Sequence, residues 1–354
     1  MTAVVRDPIP LPARPGPLPG RRPPAAGAAS LALRPLVDAP RMQARVIAAF
    51  PAAVYLELRV PAEAGSATEP RVVAVVSSDA VRLPNAIVVV AASRERPFHA
   101  VREGSDAFIG DGRVEMEGLQ VRVRRWWDPS AVLGALPVTA LSRGVRALEN
   151  ALDAAGGTAG CGLAGHPDPL LLARHCAGGE LADAVEAAER IVGLGPGLTP
   201  SGDDILAGLL VSLRLVGGAV RHGGTAVWLA DWLGAAVTAD AGTRTTALAA
   251  TLLHCAAGGQ AGAEVAAVLR AVAGQEPPAP AVRRLLSAGH TSGADLAWGV
   301  LAGCRATLRL ATETAREERF PRELQRLRRE QPFPRGDDPP RPPERLRRDR
   351  RATA

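Results

Sequence analysis

Gly193-Leu194-Gly195-Pro196-Gly197-Leu198-Thr199-Pro200-Ser201-Gly202-Asp203-Asp204 runs straight into Ile205-Leu206-Ala207-Gly208-Leu209-Leu210. Four glycines between 193 and 202 carry a backbone-entropy cost, accepted where unusual φ angles or close backbone approach are needed. Thr199-Pro200 reads as an N-cap followed by proline at the first helical position. Ile205, Leu206, Leu209, Leu210 and Leu213 then mark the buried side of a helix over about 200–216. The segment is therefore a Gly-rich joint between helices, and the surrounding sequence repeats that plan.

Working outward from it, helical periodicity covers about 139–155, 167–177, 180–192, 225–239, 243–257, 262–273, 279–288 and 292–313, separated by Gly-rich joints. Upstream the period changes. Val54-Tyr55-Leu56-Glu57-Leu58 alternates, and Val72–Val76 and Ile87–Val90 are short β-branched runs. Gly110-Asp111-Gly112 is a turn signal, and Val121-Arg122-Val123-Arg124 alternates again. The expected fold class is α+β: a small β-rich N-terminal domain, then a larger Ala-rich all-helical domain, with disordered Pro/Arg-rich tails. The expected boundaries are a disordered leader at 1–40, the β-rich domain at 41–135 and the helical domain at 136–315. Residues 316–354 are expected as a charged helix passing into a disordered tail.

The sequence contains no lysine, which excludes a Schiff-base or P-loop lysine. Its net charge of +6 is unevenly placed. Residues 1–35 carry net +4 and residues 315–354 net +5, leaving −3 on the 36–314 stretch. A folded nucleic-acid binder shows its basicity on the domain itself, so nucleic acid is not an expected partner. Cys161, Cys176, Cys255 and Cys304 have no zinc-like spacing and read as reduced thiols. Pro8, Pro10, Pro12, Pro15 and Pro17 break any apolar signal core. No apolar run reaches membrane-spanning length. No membrane association is expected, and the location is expected to be cytoplasmic.

The Gly-rich segment suits an anion such as phosphate or carboxylate. A helix N-terminus offers free N–H groups and the positive end of the dipole. Gly195, Gly197 and Gly202 allow close approach, and Thr199 and Ser201 add hydroxyls. Asp203 and Asp204 would repel an anion unless they hold a divalent cation, or they merely stabilise the helix start. A tight turn with a well-capped helix accounts for the same residues.

A second motif, Gly289-His290-Thr291-Ser292-Gly293-Ala294-Asp295, also opens an apolar helix and repeats the first. Ser201-Gly202-Asp203-Asp204-Ile205-Leu206-Ala207-Gly208 aligns with Ser292-Gly293-Ala294-Asp295-Leu296-Ala297-Trp298-Gly299. The shared Gly208 and Gly299 lie one turn after Asp204 and Asp295, so the two helices are expected to pack closely with their N-termini at one pocket. Asp204 and Asp295 would then share a metal ion or a proton. Independent capping chemistry is the alternative. His290 is a candidate general acid/base or an ordinary loop histidine. A third segment, Gly242-Thr243-Arg244-Thr245-Thr246, offers Arg244 as a fork for an anion, or is an exposed arginine beside capping threonines. The candidate catalytic residues are Asp204, Asp295 and His290. Gly195, Gly197, Thr199, Ser201, Gly202, Arg244, Thr245, Thr246, Ser292 and Gly293 are candidate substrate or anion contacts. Asp203, Asp204 and Asp295 are candidate Mg²⁺ ligands, and no organic cofactor is expected.

The three motifs in this order resemble the AllH family, the oxamate carbamoyltransferase subunit family, over about 42–313. The resemblance implies a cytoplasmic protein of purine-derived ureide (allantoin) degradation. The implied reaction converts oxalurate and phosphate to oxamate and carbamoyl phosphate. Implied partners are FdrA-type subunits, with these small anions as ligands. Two other functions fit the residues: a Mg²⁺-dependent phosphoester hydrolase or phosphotransferase, and a non-catalytic anion-binding or assembly subunit.

Overall fold

In the computed structural model, residues 23–60, 69–157 and 160–330 are described. Eight strands lie in the first part: β1 (Ala25–Ser30), β2 (Met42–Ala49), β3 (Ala53–Val60), β4 (Glu69–Val76), β5 (Ala86–Val89), β6 (Asp106–Gly110), β7 (Arg113–Met116) and β8 (Leu119–Trp127). They close into a barrel in the order β1-β5-β4-β3-β2-β6-β7-β8. The β1–β8 and β4–β5 pairs are parallel and the others antiparallel.

This closure corrects the expected fold. The β-rich part is a closed barrel, and it begins inside the stretch read as a disordered leader. Ala25–Ser30 has no β-branched residue, so it carries no strand signal of its own. It is a strand because it fills the gap between β5 and β8. Smallness is what the position needs: a Cβ on Gly27 would lie 2.7 Å from Val121 Cγ1. A short helix follows, α1 (Arg34–Val37), and Leu33 and Val37 join the barrel core. Residues 1–22 of the expected leader and 331–354 of the expected tail lie outside the described residues.

Alternation fills the barrel interior with Val46, Val54, Leu56, Val73, Val75, Ile87 and Val121. β4 is buried on both faces. Ala74 and Val76 form a separate outward-facing cluster with Ala86, against which Tyr55 and Leu83 pack. This accounts for the uninterrupted apolar run Val72–Val76. The outer face meets the helical region, where the Val72 N–H donates to Thr251 Oγ1 at 3.0 Å.

The helices are α2 (Val138–Ala154), α3 (Pro167–Gly178), α4 (Leu181–Ile191), α5 (Ser201–Ala219), α6 (Gly224–Thr238), α7 (Ala241–Arg244), α8 (Ala247–Ala257), α9 (Ala263–Val272), α10 (Pro278–Leu286) and α11 (Ser292–Glu330). Their shared core is Leu, Val and Ala, with α5 running through it. The expected 243–257 helix is interrupted. α7 ends at Arg244, Thr245 is extended, and Thr246 caps α8 by accepting from Ala249 N–H. The described residues divide into two compact units between Ala311 and Thr312. The barrel and the helices through Ala311 belong to the first.

Candidate functional site

The Gly-rich joint connects α4 to α5 and is pinned from three directions. Asp203 Oδ1 accepts from Gly193 N–H at 2.9 Å, Leu194 O accepts from Gly202 N–H at 2.9 Å, and Thr246 Oγ1 donates to Leu198 O at 2.6 Å. Gly193, Gly195 and Gly197 have φ of 72°, 120° and 96°, which a side chain would oppose. A Cβ on Gly195 would sit 2.8 Å from Ser201 N, so this exposed loop tip folds directly over the start of α5.

Asp203 and Asp204 diverge. Asp203, 2% exposed, gives its second oxygen to the Thr245 hydroxyl, so both its oxygens hold the scaffold. Burial raises its pKa, while Thr245, Gly193 and Arg244 oppose the rise. Asp204, 5% exposed, points the other way. Its Oδ2 is buried without a hydrogen-bond partner, and the nearby Ser292 and Thr199 hydroxyls favour its ionised form. Burial pushes its pKa up to about 8, with help from the negative charges of Asp295 and Asp203.

The two helix starts meet as the repeated motif anticipates. Thr199 Oγ1 and Ser292 Oγ are 2.9 Å apart, so Thr199 bridges to α11 rather than capping α5. A Cβ on Gly208 would collide with the Leu296 carbonyl and lie 2.9 Å from Val300 N. One on Gly299 would collide with the Ile205 carbonyl and lie 2.9 Å from Leu209 N. Backbone touches backbone at this crossing. Asp295 is fully buried; its Oδ1 accepts from Gly162 N–H at 2.8 Å and its Oδ2 has no partner. The Cys161 thiol beside it is pushed up to about 12, by burial first and by Asp295 second. At neutral pH it is a thiol, not a nucleophilic thiolate.

Other candidates lie elsewhere. Arg244 donates to the Glu189 carbonyl and sits 3.6 Å from Asp240 Oδ1. His290 is exposed on its turn. Gly293 packs against the Leu285 and Ala288 carbonyls, and Ala288 O accepts its N–H at 2.9 Å. Among the described residues, the group of three or more possible ligands within 4.8 Å of one another is His175, Glu180 and Asp183, not the three site aspartates.

A cavity of about 480 Å³ opens where this site faces the barrel, within the size range of small-molecule sites. Thr199, Asp204 and Ser292 form one polar end. Phe50, Tyr55 and Val76 of the barrel and Leu248 and Leu296 of the helices supply apolar wall. Sequence reasoning missed this barrel wall, because only tertiary packing brings it to the aspartates. It also missed Gly162, although the glycines flanking Cys161 were a legible sign of close approach.

Residues 191–304 match the family model described as Oxamate carbamoyltransferase subunit AllH. No solved structure matches the chain. The AllH match covers both Ser-Gly-x-Asp helix starts and the Arg244-Thr245-Thr246 segment, in agreement with the resemblance those motifs carry. The barrel wall of the cavity and Gly162 lie outside the matched segment. No helix among the described residues is long and apolar enough to cross a membrane.

Proposed function

We propose that this chain is a substrate-binding subunit of a carbamoyltransferase of the oxamate type, and that its substrate binds in the cavity bounded by Thr199, Asp204 and Ser292. The observation that carries this reading is the AllH match over 191–304, the segment that contributes both helix starts to that cavity. The reaction is oxalurate plus phosphate to oxamate plus carbamoyl phosphate. FdrA-type subunits are the proposed partners.

In this reaction a phosphate oxygen bonds to the carbamoyl carbon, and the bond from that carbon to the oxamate nitrogen breaks. The departing nitrogen needs a proton. Asp204, carrying its proton at neutral pH because it is buried, donates to that nitrogen and recovers a proton from the attacking hydrogen phosphate. Ser292 and Thr199 orient its carboxyl group. Asp295 discourages ionisation of Asp204, and Asp203 holds the loop.

The test is carbamoyl phosphate formation from oxalurate and phosphate by the chain purified together with its partner subunits. Asp204→Asn, which keeps shape and removes the acid, is expected to lower the rate by about 100-fold or more with assembly intact. An unchanged rate in assembled Asp204→Asn contradicts the assignment.

A further inference from the structure

Among the residues lining the cavity, the ionisable side chains include Asp79, Asp204 and Glu264, and none is an arginine or histidine. Asp79 is satisfied by Ser77 and Ser93. Asp204 Oδ2 and Glu264 Oε2 are both buried without a hydrogen-bond partner. Beyond the first residue of each helix, the N–H groups that open α5 and α11 are already spent. Gly202 N–H is spent on Leu194 O, and Asp203 and Asp204 N–H on Pro200 O. Gly293 N–H is spent on Ala288 O, and Ala294 and Asp295 N–H on Thr291 O. Of the arginines nearby, Arg244 is committed to the Glu189 carbonyl and to Asp240, Arg284 pairs with Glu276, and Arg82 lies over the Trp127 ring. An anionic group pressed against this wall would lose its water with no cation in the lining to replace it, which is costly. A group that both donates N–H and accepts at a carbonyl meets complementary atoms, because a buried polar atom left unpaired is costly.

We propose that the cavity takes its ligand by an uncharged primary amide or ureido head, seated on Asp204 and Ser292, and turns the ligand's carboxylate or phosphate away from that wall. This rests on the carbamoyltransferase reading for the identity of the ligand and deepens it by fixing the ligand's direction. It also implies that the cation neutralising the anionic end comes from outside this cavity's lining.

The test compares four probes by calorimetric titration into the full chain: oxamate, ethyl oxamate, oxalate and inorganic phosphate. Ethyl oxamate keeps the amide and loses the charge, whereas oxalate keeps the charge and loses the amide. Oxamate and ethyl oxamate are expected to bind, with oxalate and phosphate at least tenfold weaker. Asp204→Ala, which removes the carboxyl group that pairs with the amide, is expected to weaken both amides at least tenfold. Ser292→Ala gives a second variant should Asp204→Ala fold poorly, and is expected to weaken both amides severalfold. Oxalate binding as tightly as oxamate overturns the proposal. So does unchanged amide affinity in both variants, or binding of none of the amide probes. The two readings separate cleanly. If ethyl oxamate binds while the assembled protein fails to turn over oxalurate, the amide-head site stands and the carbamoyltransferase reading falls. If oxalurate is turned over while oxalate competes as well as oxamate, the reverse holds.

Discussion

Asp203 and Asp204 are neighbours in sequence, but each step along a helix rotates the side chain by about 100°. Asp203 turns back to its loop and to Thr245, and Asp204 turns to the cavity. Only the repeat with Asp295 marks Asp204 as the one to watch, and the structure brings Asp204 to the cavity lining. Its raised pKa has a thermodynamic consequence. Between the ordinary value of 3.8 and about 8, the unfolded chain has released this proton and the folded chain keeps it. Stability therefore falls as pH rises through that window and levels off above it, by about 1.4 kcal/mol per unit of pKa difference. Urea unfolding at pH 5 and pH 8.5 is expected to show wild type losing stability relative to Asp204→Asn as pH rises. A difference that stays constant with pH would show that Asp204 titrates normally. His290 and Arg244 illustrate the limit of residue-level reading. Their types suit the chemistry, but whether a loop histidine turns inward, or an arginine is taken by a carbonyl, depends on contacts distant in sequence.

At the scale of elements, the helical half was legible because apolar periodicity and Gly-rich joints are local signals. The α5–α11 pairing was legible too, since Gly208 and Gly299 repeat at one position relative to an aspartate and mark the same face. β1 was not. Ala25–Ser30 has neither alternation nor β-branched residues, and its strand conformation comes from barrel closure. The crossing of α5 and α11 positions Thr199 against Ser292, so its spacing matters to the site. Gly208→Ala and Gly299→Ala are each expected to destabilise by about 1–3 kcal/mol through overpacking, despite the better helix propensity of alanine. A Cβ on Gly218, also in α5, would meet nothing within 4 Å. Gly218→Ala is expected to be neutral or to stabilise by up to about 1 kcal/mol. Equal effects at all three positions in denaturant titrations would show that the close crossing does not constrain the sequence.

Across the first unit, the cavity exists because a barrel wall and a helical core face each other. Neither motif in the helical part reports that wall, and no pattern in the strands reports the aspartates. The matched segment supplies the polar end, and the barrel supplies much of the apolar enclosure. Enclosure keeps water from Asp204, and burial is the leading cause of its raised pKa. The most direct test of a substrate site at Asp204 is a crystal structure of the protein soaked with oxamate. The expected result is oxamate in the cavity, with its amide within hydrogen-bonding distance, about 3 Å, of Asp204 and its carboxylate directed away. Oxamate bound by its carboxylate at Asp204, or bound elsewhere with the cavity empty, would contradict it.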